Sequence, residues 1–90
     1  MLFMYIGTHP VDKCMADKPQ EGLKLFSQVQ EELKKAGVKT LGMYVAGHEH
    51  TTFAIFDAND ILALERALVP FTMFGNARLI PVVSMEGRKA

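Results

Sequence analysis

The apolar residues of this chain recur with two different periods, and the switches between them outline its elements. Leu2 to Thr8 is a short run rich in aromatic and branched side chains, halted by His9-Pro10, which predicts a strand. Val11 to Gln20 is polar and broken by Pro10 and Pro19, and reads as a loop. From Glu21 the period becomes helical. Phe26, Val29, Leu33 and Ala36 share one face with Leu23 and Leu25 beside them, while Glu21, Lys24, Gln28, Gln30, Glu31, Lys34 and Lys35 cover the other. Gly37 after two lysines predicts the helix end, with cations against the negative end of the dipole and a residue free to turn left-handed.

Lys39 to Ala46 and Thr51 to Ala58 are strand-like and separated by Gly47-His48-Glu49-His50, which predicts a hairpin. Asn59 or Asp60 can cap a second helix carrying Ile61, Leu64 and Leu68, with Pro70 expected to end it. Phe71 to Asn76 then reads as a link whose Phe71, Met73 and Phe74 suit a lid or a dimer arm, packing against the partner being the preferred reading. Ala77 to Ser84 is the last strand, and Met85 to Ala90 a polar tail. Pro81 cannot donate a ladder hydrogen bond, so that strand belongs at an edge.

The order β-α-β-β-α-β, with two right-handed crossovers around a central hairpin, predicts a single α+β domain over residues 1–90 with a ferredoxin-like fold. Its four-stranded antiparallel sheet runs in order 4-1-3-2 with both helices on one face, which independently puts Pro81 on an edge strand.

Such a sheet, covered on one side only, should alternate apolar with polar residues. These strands do not. Leu2, Met4 and Ile6 oppose Phe3 and Tyr5; Phe53 and Ile55 oppose Ala54 and Phe56; Leu79 and Val83 oppose Ile80 and Val82. One set can meet the helices and the other needs a cover. A second copy of the same sheet is the economical one, so a homodimer with sheets packed face to face is expected.

Composition narrows the partners. Ten Lys+Arg against ten Asp+Glu leave a net charge of zero, without the basic excess on which nucleic-acid affinity depends. Nucleic acid is not an expected partner. With 49% of the residues hydrophobic, balanced charge also favours self-association. No apolar stretch approaches the roughly twenty residues that cross a bilayer, and the first ten residues lack a basic region of the signal-peptide kind. The single Cys14 cannot form an internal disulfide. Together these predict a cytoplasmic protein with no membrane partner.

The element order, the segment KTLGMYVAGHEHTTFAIFDANDILALERAL and the closing LIPVV resemble the dimeric α+β barrel superfamily. Within it the chain is most similar to a family of small proteins of about this length grouped as a domain of unknown function, the likeness covering roughly residues 1–84. The superfamily includes antibiotic-synthesis and haem-degrading monooxygenases, chlorite dismutase-like proteins, muconolactone isomerase and stress-induced proteins, so the resemblance implies a fold and leaves the reaction open.

Candidate chemistry gathers at one rim. The predicted topology brings the end of the first strand to the hairpin, so His9 lies near His48, Glu49 and His50, with Cys14 in the loop leaving that edge and Arg78 entering the fourth strand beside it. Imidazoles there suit a divalent transition metal such as zinc, copper or iron, and His48 and His50 would share a side if the backbone were extended. The competing reading is that histidines at a hairpin are simply solvated. Haem is not expected, because haem-binding members of the superfamily typically carry their axial histidine on a helix and neither predicted helix has one.

A second candidate is a pocket between sheet and helices. Gly7 and Gly42 would leave room for a small molecule, and Tyr5, Thr8, Tyr44 and Thr52 would supply its polar contacts; alternatively the glycines mark bends and the tyrosines pack in the core or an interface. Lys13 and Lys18 would activate Cys14 as a thiolate while Asp12 and Asp17 oppose them. Asp57, Asp60 and Glu65 read as strand end, cap and helix surface, and no catalytic triad is indicated. The resulting expectation is a homodimer that binds a small molecule or a metal ion at the histidine edge. The alternative is a small cofactor-light isomerase or monooxygenase.

Overall fold

A computed structural model of the chain describes residues 1–86, so the last four residues of the expected polar tail lie outside it. The elements follow in the order β1 (Leu2–Thr8), α1 (Pro19–Lys35), β2 (Lys39–Ala46), β3 (Thr51–Asp57), α2 (Ile61–Thr72) and β4 (Asn76–Val82). Single 3-10 turns at Val11–Lys13 and Gly47–Glu49 complete the connections. The four strands form one antiparallel sheet in the order β2-β3-β1-β4, which is the ferredoxin-like 4-1-3-2 arrangement read from the other edge. β4 pairs with β1 alone, which places Pro81 on an edge strand.

Three differences from the expected elements have local causes. α1 begins at Pro19, two residues before the helical period is visible, because the missing N–H of a proline at the first helical position is one the helix would leave unbonded anyway. α2 runs through Pro70 to Thr72. Proline deletes one hydrogen bond near the helix end, and the following turn is kept by the Met73 N–H donating to the Val69 carbonyl at 3.1 Å and by Phe71 packing against the core. Phe71 is thus helical rather than part of a free link. In β2 the ladder slips between Thr40 and Gly42, leaving Leu41 as an extra residue.

Elsewhere local chemistry acts as its residues dictate. α1 ends in a Schellman motif: Val38 donates to the Leu33 carbonyl, Gly37 donates to the Lys34 carbonyl, and Gly37 takes φ of +73°. Val38 and Leu33 are both buried, as the hydrophobic contact of that motif requires. Asp60 caps α2, accepting from the Leu62 N–H at 2.9 Å.

The strand registers assign the two faces. Phe3 pairs with Phe56 and Tyr5 with Ala54, and these side chains are buried with Val29 and Leu33 of α1 and Leu64, Ala67 and Leu68 of α2. Both helices therefore cover the same side. Leu2, Met4, Ile6, Phe53, Ile55 and Ile80 occupy the opposite side, where Tyr44 is 65% exposed and Phe53 40%. No helix among the described residues is long and apolar enough to cross a membrane.

Candidate metal site and cavity

Where β1 ends, the chain turns through His9-Pro10 into the first 3-10 turn, which returns Cys14 over the sheet. Across the ladder, β2 ends in the second 3-10 turn, and β3 starts at Thr51 immediately after His50. The two places are tied together by the His9 N–H donating to the His50 carbonyl at 3.1 Å. Their rings meet edge to face with centroids 5.3 Å apart. One donor atom from each of His9, Cys14 and His50 lies within 4.8 Å of the other two, and all three residues are half-buried.

Two features mark this cluster as more than surface histidine. Nε2 of His9 and Nδ1 of His50 are buried without a hydrogen-bond partner among the described residues, a costly state for polar atoms. His50 also holds φ of +49°, the only left-handed non-glycine residue among those described. Its N–H donates to the Gly47 carbonyl at 3.2 Å, so the turn holds the ring against His9. Backbone of this kind is uncommon outside glycine and concentrates at functional positions.

His48 takes no part in the cluster. It is exposed within the 3-10 turn, where backbone curvature separates it from His50; the shared side expected of extended backbone does not arise. Glu49 is also exposed, and its carbonyl accepts the Thr51 hydroxyl at 2.8 Å. Cys14 supplies the third donor instead. Its place in the loop leaving this edge is the sequence signal for it, whereas the flanking charges of Lys13, Lys18, Asp12 and Asp17 oppose one another.

The cluster forms the polar wall of a cavity of about 620 Å³ between the sheet and α1. Its floor includes Tyr5, Gly7, Met43, Val45 and Thr52, and its other walls are largely apolar, with Leu25, Phe26, Phe71 and Phe74 among them. Tyr5, Thr8 and Thr52 thus border one cavity, although the Thr8 hydroxyl is directed to the Asn76 carbonyl at 3.4 Å. The structure does not bring Tyr44 or Arg78 there. Tyr44 pairs with Phe53 and Arg78 with Ile6, both on the helix-free face, because each sits one residue out of phase with the inward positions of its strand.

The two glycines have a different part from the one expected. A Cβ at Gly7 would come within 2.5 Å of the Tyr5 hydroxyl, and one at Gly42 within 2.8 Å of the Tyr44 ring. Each glycine is the seat of a tyrosine ring two residues away on the same strand and face. The Tyr5 ring is fixed further by Phe56, edge to face at 6.4 Å, and by Phe71 at 6.5 Å. Lying over Gly7, its hydroxyl is directed toward the His9 end of the cavity. Burial raises the Tyr5 pKa above its usual 10.0, so the hydroxyl is a proton donor at neutral pH.

Chemically, two imidazoles and a thiol are a ligand set for zinc or copper, softer than the oxygen-rich sets of magnesium or calcium. A tetrahedral ion with bonds of about 2.0–2.3 Å needs its donors about 3.5 Å apart, a modest closure from the observed spacing. Three protein donors leave one coordination position, and all three residues face the cavity.

No curated protein matches the chain. A family described as a domain of unknown function, DUF3303, matches it over residues 1–90. The match spans the strands that build the cavity floor and both turns that carry the cluster, and the chain belongs to the DUF3303 family.

Proposed function

We propose that the protein binds one soft transition-metal ion, zinc or copper, through His9, Cys14 and His50, leaving a coordination position open to the cavity. The observation that carries this reading is the pair of buried, unpartnered imidazole nitrogens beside a thiol in one small cluster. Unpaired buried nitrogens cost free energy, and ligation of an ion by both would remove that cost. Zinc titration of chelator-treated protein tests it. One ion per chain is expected for the wild type and for His48→Ala, with affinity reduced at least about tenfold in His9→Ala, His50→Ala and Cys14→Ala, the scale on which loss of supporting groups already acts. Wild type and all three variants giving the same isotherm would sink the reading.

The protein acts as a homodimer in this reading, with the helix-free sheet face as the interface. Leu2, Met4, Ile6, Tyr44, Phe53, Ile55 and Ile80 make that face largely apolar, with Arg78 on its edge strand, more than a soluble monomer commonly leaves uncovered. Phe53 is 40% exposed in one chain, so Phe53→Asp leaves the helix-covered core intact. Sedimentation at micromolar concentration is expected to give a dimer for the wild type and a monomer for Phe53→Asp. A monomeric wild type would refute the dimer and leave the metal site standing.

A further inference from the structure

The cavity has the polarity of a site for one kind of molecule. Its volume of about 620 Å³ falls within the range of small-molecule sites, about 300–1,000 Å³. Leu25, Phe26, Met43, Phe71 and Phe74 give it apolar walls, whereas His9, Cys14 and His50 are gathered at one place in its lining. There the Tyr5 hydroxyl, directed over Gly7, faces the end occupied by His9, Cys14 and His50, and Lys13 lies beside Cys14 on the cavity rim. Among the described residues, no aspartate or glutamate lines the cavity. An apolar chamber whose one polar end offers a phenol donor, a lysine cation and imidazoles, with no carboxylate to repel an anion, is complementary to an apolar body with a single oxyanion head.

We infer that the cavity binds a small apolar monocarboxylic acid, its body against α1 and Phe71 and its carboxylate at the Tyr5, Lys13 and histidine end. The inference rests on the proposed metal site for one of the carboxylate's contacts, the open coordination position; Tyr5 and Lys13 supply the others. A neutral molecule of the same shape would leave the lysine unanswered and bind more weakly. A cationic one would oppose both Lys13 and the ion.

Calorimetric titration of the full chain with 2-naphthoate, and with 2-naphthalenemethanol as its neutral counterpart, tests this in zinc-loaded and in chelator-treated protein. Saturable binding of one naphthoate per chain is expected, about tenfold or more tighter than the alcohol, as charge-assisted contacts imply. Chelation is expected to weaken naphthoate without abolishing it. Gly22→Leu projects a side chain from α1 at the cavity wall, and the nearest atom to a Cβ there is Met15 Cβ at 3.6 Å, an ordinary contact. This variant should lose naphthoate about tenfold or more while unfolding at or above the wild-type temperature, since leucine favours helix over glycine. Lys13→Gln should bring the acid's affinity toward the alcohol's.

Equal affinity for acid and alcohol, or no saturable binding of naphthoate by zinc-loaded protein, would overturn the inference while a normal zinc isotherm kept the metal site. Naphthoate that still outcompetes the alcohol in a protein that takes up no zinc would do the reverse, leaving the acid site and removing the metal.

Discussion

The two ends of the helix-covered sheet face are built from the same strands under the same layer of helices, yet one is solid and the other hollow. Near the start of β1, Phe3 and Phe56 are paired and buried at 4% and 0% exposure, in one cluster with Leu33 and Leu64. Near its end, the corresponding inward positions are Gly7, Thr52 and Ala77, paired across the sheet. Side-chain volume changes and backbone topology does not. The cavity floor therefore follows from small residues on β1 and β3, Gly7 and Thr52, and the polar cluster sits beside them. The packed core lies at one end and the cavity with its polar cluster at the other.

The largest effect should come from hollowing the solid end. Phe56→Ala removes a fully buried ring and is expected to cost about 3–5 kcal/mol by urea denaturation, a large part of the stability of a small domain. Next is the hollow end's response to metal. Zinc at about one hundred times its dissociation constant should stabilise the wild type by about 2.7 kcal/mol, and Cys14→Ala should lose most of that gain. An unchanged zinc response in Cys14→Ala would remove the thiol from the ligand set.

Gly7→Ala marks the boundary between the two ends. The added methyl meets the buried Tyr5 ring, which Phe56 and Phe71 prevent from moving away, so a loss of about 1–3 kcal/mol is expected. In a double-mutant cycle with Tyr5→Leu the two costs should be markedly non-additive; simple addition would show that the ring and the glycine do not share the site.

The smallest effect is a pH dependence. The folded state holds the Tyr5 proton more tightly than the unfolded chain does, because burial disfavours the phenolate. Above pH 10.0 the unfolded chain ionises first, so unfolding releases a proton and this contribution to stability falls as pH rises. It is fully present below that value. Wild-type stability should therefore fall relative to that of Tyr5→Phe on raising the pH from neutral to about 11, and parallel curves would contradict the buried phenol.

Much of the fold was legible because hydrophobic period and end signals agree: the inward stripe of Val29 and Leu33, the left-handed Gly37 and the capping Asp60 all lie where their chemistry requires. Strands apolar on both sides announced the uncovered sheet face, although only the register shows that Phe3 and Tyr5, not Met4 and Ile6, meet the helices. Pro70 was misleading because a proline's lost hydrogen bond was outweighed by tertiary packing of Phe71. The site was legible in part. His9 and His50 follow from topology, since the end of β1 must lie beside the start of β3. The separation of His48 depends on the curvature of a three-residue turn, and Cys14 on the path of the loop after Pro10. Neither leaves a periodic trace. Tyr44 and Arg78 show a parity problem, because a single bulge or strand offset decides which face a residue takes.

Cobalt(II) provides the most direct test of the central claim, because a thiolate ligand gives cobalt an intense charge-transfer absorption that imidazole or water cannot give. Titration of the reduced, chelator-treated wild type should produce that band, saturating at one ion per chain with the visible absorption of a tetrahedral site, and Cys14→Ser should bind without it. A wild-type spectrum that remains that of hydrated cobalt throughout the titration would contradict metal binding by His9, Cys14 and His50.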